Sequence, residues 1–316
     1  MRFSTTGGQS VHEGVRRVEA EDRSAALGQL LLGGHAPSPH QCEHLERFAS
    51  DMGVDPGGLW GYYDARGKLT AVAWAAPQPG RTAMLFHSPV RRRRQLPMVT
   101  AAVDRACREL PPDRAVLVQA LLDPEARWDL RALTDARFQE LAVLRYLQKR
   151  IDRAVDRPAL PADVALECWN EANRPDFIAA VAASYDQTMD CPALRGMRDL
   201  NDVIAGHMAT GQFDPALWSL LRVEGRPAGV ALLNRVPQQR CVELVYLGLA
   251  GEVRRRGLGG LLLSHGLWQC SQRNERRVVL AADESNAPAL ALYRQFGFVR
   301  TTRKRALIRP LPMPAM

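Results

Sequence analysis

Residues 252–268 read EVRRRGLGGLLLSHGLW: Arg254, Arg255 and Arg256 stand against Gly257, Gly259 and Gly260, and an apolar run follows. Glycine allows a ligand to approach the backbone closely, and the N–H groups of a strand-to-helix turn converge on an anion. Arginine adds planar donors that match phosphate oxygens. The chemistry this spacing suits is capture of a phosphate or pyrophosphate. Two familiar phosphate loops do not fit. Walker A needs a lysine and then Ser or Thr after its last glycine, where this chain has Leu261 and Leu262, and the dinucleotide fingerprint needs its third glycine at the position of Leu262. A tight turn with a solvated arginine face stays open as the alternative.

The elements around the loop follow from pattern. Residues 241–249, CVELVYLGL, are β-branched, aromatic and apolar without proline, which predicts a strand. A helix is expected over 258–270 and a second over 287–296. Glu243 lies on the strand, where a carboxylate takes up a proton directly or through water, or else faces solvent or pairs with an arginine. Asn286 precedes the second helix as an N-cap or a ligand contact, and Tyr293 lies within it beside Leu290 and Phe296.

The chain repeats itself. LWGYYDARGKLTAVAWAA (59–76) lies over LWSLLRVEGRPAGVALLN (217–234) without a gap, and each copy reads as a hairpin. Further on, Asp123 and Phe138 lie over Asp283 and Phe298 at nearly the same offset. Each half predicts helix, hairpin, strand, helix, strand, helix, strand. The expected domains are 1–155 and 156–316, joined in the polar, proline-bearing stretch 152–161. The first half has SPVRRRRQLP opposite the glycine loop, Leu133 opposite Tyr293 and Arg137 opposite Gly297, so it reads as the worn copy.

Arg254-x-x-Gly257-x-Gly259 resembles the acyl-CoA pyrophosphate loop of the GNAT N-acetyltransferase superfamily. Asn286-x-x-Ala289-x-x-x-Tyr293-x-x-x-Gly297-Phe298 resembles its second signature, in the expected order. The tandem arrangement with one degenerate copy resembles the mycothiol synthase group within that superfamily. The resemblance implies an α/β (α+β) fold of two tandem domains, each a mixed, mostly antiparallel sheet flanked by helices. It implies acetyl-CoA as co-substrate, with no metal, and transfer to a primary amine by direct attack in a ternary complex. The backbone of Arg255, Arg256, Gly257, Leu258, Gly259 and Gly260 would bind the pyrophosphate, reinforced by the Arg254 and Arg256 guanidinium groups. Leu247, Gly248 and Leu249 would pair with the pantetheine arm, Asn286 would touch the cofactor, Glu243 would act as base and Tyr293 as proton donor to the sulfur.

Acceptor recognition falls, by the same resemblance, in 184–215, where Tyr185, Thr188, Asp190, Cys191 and Arg198 are the polar or reactive groups. Asp190 would hold an amine, or cap a turn before Pro192. Acceptors still open are small amines, aminoglycoside-like compounds, peptide N-termini and lysine side chains; the acyl chain length of the donor and the oligomeric state are unspecified.

Composition narrows the rivals. Hydrophobic residues make up 46% and charged residues 24%, the balance of an ordinary globular chain. No apolar run is long enough for a membrane span and the start has no apolar signal core, so a cytoplasmic protein with no membrane partner is expected. Six scattered cysteines without a CxxC pair, and without histidines at ligand spacing, argue against a zinc or disulfide framework. The formal charge of +8 admits a basic nucleic-acid- or ribosome-associated protein using Arg91 to Arg94, but aromatics are only 6% of the chain and no nucleic-acid motif interleaves them. A non-catalytic acyl-CoA-binding module is the other alternative.

Overall fold

The computed structural model describes residues 13–31, 56–151 and 154–312. Cys42 and residues 152–153 of the expected linker lie outside them. The chain forms two compact units, Met1–Glu140 with Ala306–Met316, and Leu141–Arg305.

In unit one, β1 (Val15–Arg17), α1 (Arg23–Leu31), β2 (Leu59–Tyr63), β3 (Leu69–Gln78), β4 (Thr82–His87), α2 (Leu96–Arg108), β5 (Leu117–Leu122) and α3 (Arg127–Asp135) follow in order. Its strands lie β1-β2-β3-β4-β5, antiparallel except for the parallel pair β4–β5. Trp60, Ala73, Val99, Val103, Leu133 and Phe138 share its main core.

Unit two begins within β6 (Gln139–Arg150) and continues through β7 (Val164–Cys168), α4 (Arg174–Ser184), α5 (Leu200–Ala209), β8 (Trp218–Val223), β9 (Arg226–Val236), β10 (Cys241–Leu249), α6 (Leu258–Gln272), β11 (Arg277–Asp283), α7 (Ala287–Gln295) and the start of β12 (Val299–Pro310). Its strands run β6-β11-β10-β9-β8-β7, and only β10–β11 is parallel. β9 is buried on both faces, which explains its unbroken apolar run. Val230 and Leu232 pack with Phe177 of α4 and Ile204 of α5; Ala231 and Leu233 pack with Leu262 and Leu263 of α6.

The hairpins fall where the repeat predicts them, each turning at a left-handed glycine, Gly67 (φ 74°) and Gly225 (φ 77°). Arg137 holds the same left-handed conformation (φ 66°) as its counterpart Gly297 (φ 77°), so the worn copy keeps the turn without the glycine. The units depart from the sequence halves 1–155 and 156–316 at their closing strands. From Leu141, β6 pairs with β11 over Leu144↔Asp283 to Arg150↔Arg277 and belongs to unit two. From Ala306, β12 belongs to unit one, where Leu307 joins the core and the Leu311 N–H donates to the Val116 carbonyl at 2.9 Å. Strand pairing is a long-range choice that the order of the halves along the chain does not encode.

Candidate active site

β10 and β11 pair only at Val242↔Val278 and Glu243↔Val279, after which both strands continue unpaired with each other, to Leu249 and Asp283. The strands therefore part like a V. On its other edge β10 stays bonded to β9 as far as Leu249↔Gly229. A cavity of about 840 Å³ occupies this region, with Leu247, Gly248 and Leu249 on one wall and Ala281 and Ala282 on the other. Gly257, Gly259 and Gly260 border it, as do Asp190 and Tyr293.

The glycine loop has the geometry of an anion cradle. Arg255 (φ 62°) and Gly257 (φ 79°) are left-handed, and α6 starts immediately after Gly257 without a side-chain cap. The N–H groups of Leu258, Gly259 and Gly260 belong to the first helical turn, which has no intrahelical acceptors, and the helix dipole favours negative charge there. Alternating left-handed turns of this kind form concave nests of N–H groups.

The arginines divide. Arg255 and Arg254 border the cavity, but the Arg254 guanidinium is spent on backbone carbonyls: Nε donates to Leu249 O (3.1 Å), Nη1 to Gln187 O (3.1 Å) and Nη2 to Ser184 O and Asp186 O (both 2.8 Å). Arg256 Nη2 donates to Asp163 at 2.8 Å. Neither guanidinium is aimed at the cradle.

A bulge between Leu244 and Tyr246 sets which side chains face which way. Leu244 packs with α6, yet Tyr246, two residues on, packs with α4 and α5. Strict alternation would put both on one face, and the extra residue reverses it. Glu243 stands opposite Asn234, whose amide donates to the His207 and Thr210 carbonyls at the end of α5, both at 2.6 Å. Cross-strand neighbours share a face, so Glu243 and Tyr246 lie together on the α4–α5 side. The cavity wall begins one residue later, at Leu244. Burial pushes the Glu243 carboxyl above its ordinary range.

Tyr293 is 7% exposed and its ring meets Phe298 edge-on at 5.7 Å. Burial, then the charge of Asp190, pushes its phenol well up, so it stays protonated. Asn286 borders the cavity while its Oδ1 accepts from the Ala289 N–H (3.2 Å): it caps α7.

Of the acceptor-region residues, Thr188 and Asp190 line the cavity. Thr188 Oγ1 accepts from the Asp190 N–H at 3.1 Å. Tyr185 meets Tyr246 edge-on at 5.9 Å, and burial raises its phenol. Cys191 is left-handed (φ 46°), and burial pushes its thiol up to about 12. His207 stacks on Tyr246 at 5.4 Å, and burial, then Arg198, lowers its imidazole to about 4. Ser184, Tyr246 and Asp283 also shape the site. Nothing in the spacing of Ser184 and Tyr246 marks them, and Asp283 is marked only as the repeat partner of Asp123, since each acts through a long-range contact.

Unit one has the same parting of strands, its β4–β5 pairing ending at Met84↔Gln119. Asp129, in the register that sets Phe138 on Phe298, occupies the place of Ala289. Its carboxylate accepts from the Val90 N–H at 2.9 Å, consuming a backbone donor just past β4.

The family model of the acetyltransferase (GNAT) family matches residues 168–298. The mycothiol acetyltransferase of Clavibacter sepedonicus is 32% identical over 242 residues, 73% of each chain. That of Clavibacter michiganensis subsp. michiganensis (strain NCPPB 382) is 33% identical over 247 residues, 74% of each. Among solved structures, a GCN5-related N-acetyltransferase from Sphaerobacter thermophilus superposes with a TM-score of 0.61 at 18% identity, over 94% of this chain and 95% of that one. A tandem GNAT protein from the clavulanic acid biosynthesis pathway gives 0.53 at 16%, over 96% and 99%. These two likenesses are of fold.

Proposed function

The chain belongs to the GNAT acetyltransferase family and is an N-acetyltransferase, and we propose that unit two takes the acetyl group from acetyl-CoA to the primary amine of a small, mycothiol-related acceptor. The observation that carries this reading is the parting of β10 from β11 over a cavity that has the glycine cradle and Tyr293 on its border. The acceptor class comes from the relatives alone.

The residues fit the cofactor. The cradle at Arg255 to Gly260 offers backbone donors to a pyrophosphate, and the edge of Leu247 to Leu249 that β11 leaves unpaired, where only the Leu249 carbonyl already accepts from Arg254, offers N–H and C=O groups to an amide-bearing arm. Acetyl-CoA supplies an activated thioester when bound. The unpaired edge of β10 would hold the thioester, where a backbone N–H would stabilise negative charge on its oxygen. Holding amine and thioester side by side removes much of the entropic barrier. Glu243 takes the ammonium proton directly or through a water, and burial raises its affinity for that proton. Tyr293, protonated, donates to the departing sulfur. Unit one, where Asp129 takes the Val90 N–H just past β4 and SPVRRRRQLP stands in place of the glycine loop, supports the fold and binds no cofactor.

Calorimetric titration of acetyl-CoA tests the reading. One site per chain, lost in Gly259→Asp, supports it; no binding, or two sites, overturns the assignment to unit two. Amine-dependent thiol release across primary amines then identifies the acceptor.

A further inference from the structure

The loop 185–191 borders the cavity with Gln187, Thr188, Met189 and Asp190, and it is fastened to both lips of the cleft. On the β10 lip, the Arg254 guanidinium holds the carbonyls of Ser184, Asp186 and Gln187 and, through Nε, that of Leu249. The end of α4 has carbonyls without intrahelical donors and a negative dipole, so a guanidinium is the matching cap. On the β11 lip, two carboxylates exchange backbone partners: Asp190 Oδ1 accepts from the Asp283 N–H at 3.1 Å, and Asp283 Oδ2 accepts from the Cys191 N–H at 3.2 Å. This second fastening holds Cys191 in its left-handed conformation, which a side-chain-bearing residue adopts at a cost.

We propose that Arg254 and Asp283 are positioning residues for the amine acceptor: they pin the loop 185–191 across the cleft and so fix Thr188 and Asp190 relative to Tyr293. The assignment rests on the cleft being the acetyl-transfer site. It gives Arg254 a different task from phosphate binding, since four of the five N–H donors of its guanidinium are engaged by carbonyls. The pyrophosphate is left to the backbone cradle, and the loop that carries the cradle also anchors the acceptor side through one side chain.

The test compares full-length wild type with Arg254→Met, Arg254→Lys and Asp283→Ala. Hydrogen exchange of residues 187–190 should speed up by about tenfold or more in Arg254→Met and Asp283→Ala and by less in Arg254→Lys, whose ammonium still reaches some carbonyls. Acetyl-CoA affinity by calorimetry should stay within about threefold of wild type. In thiol-release assays with D-glucosamine, L-serine and ethanolamine as amine probes, KM for the amine should rise by about fivefold or more while KM for acetyl-CoA holds. Unchanged exchange at 187–190, or acetyl-CoA affinity weakened about tenfold in Arg254→Met, overturns the assignment. A fall in kcat with both KM values unchanged overturns it as well. Failure of the wild type to bind acetyl-CoA or to use any probe counts against the proposed function, while exchange at 187–190 still decides the fastening.

Discussion

Ser184 Oγ and the Tyr246 hydroxyl stand 2.7 Å apart, joining the last turn of α4 to β10 just past its bulge. The join needs the strand and helix to approach closely, and Gly248 permits it: a Cβ there would lie 2.6 Å from Ser184 Oγ and 2.7 Å from a Tyr246 ring carbon. The wall of the cleft is therefore set by a residue with no side chain.

Gly248→Ala should overpack this contact and cost about 1–3 kcal/mol of stability. Acetyl-CoA binding should weaken with it, because β10 must move away from α4. Thermal denaturation and calorimetry measure the two effects; a variant as stable and as tight as wild type would show that α4 yields freely.

Gly259→Asp separates binding from folding. A Cβ at Gly259 meets only Leu292 and Leu249 atoms at 3.6 and 3.7 Å, ordinary contact distances, so the fold has room for it. Its carboxylate sits in the first turn of α6, facing the anion with like charge. Acetyl-CoA affinity should fall about a hundredfold, about 2.7 kcal/mol, with a native circular dichroism spectrum. Retained affinity places the pyrophosphate elsewhere.

Tyr293→Phe keeps the ring against Phe298 and removes only the hydroxyl. Its kcat should drop about a hundredfold or more, with acetyl-CoA affinity nearly unchanged. Since the phenol is held protonated by burial and Asp190, wild-type kcat should show no loss from its ionisation up to about pH 10, its ordinary value. A kcat within twofold of wild type would remove Tyr293 from the chemistry.

With Glu243 as the base, rate and stability should depend on pH with opposite signs. Burial raises its folded-state affinity for the proton above the ordinary 4.5, so rate should rise with pH through a window above that value. The folded chain binds more protons than the unfolded one there, so the stabilisation from protonated Glu243 is full below 4.5 and is lost as pH rises through the window. Glu243→Gln should flatten both profiles. A rate profile identical in the variant assigns the base elsewhere.

His207 gives the reverse dependence. Its imidazole is depressed from 6.5 to about 4, so the stability it carries is present above 6.5 and is lost as pH falls towards 4. His207→Phe, which keeps a ring stacked on Tyr246, should weaken the acid limb of the stability curve without moving the rate profile near neutrality. An unchanged acid limb refutes this.

The pattern of residue types determined much of this protein. β-Branched, aromatic and apolar residues without proline marked 241–249 as a strand, and β10 has those limits; the glycine loop and the apolar run placed the start of α6 at Leu258; the repeat located both hairpins and their turns. These are local properties, set by backbone sterics and by which face meets the core. Tertiary structure decided what depends on partners distant in sequence. The bulge at Leu244/Tyr246 put Tyr246 on the Glu243 face, strand pairing sent β6 and the end of β12 to units that the order of the halves did not indicate, and the carbonyls beyond α4 claimed the Arg254 guanidinium. An arginine three residues before a glycine reads the same whether it meets a phosphate or a helix end, because its five donors suit either, and only the folded chain brings one of them within 3 Å.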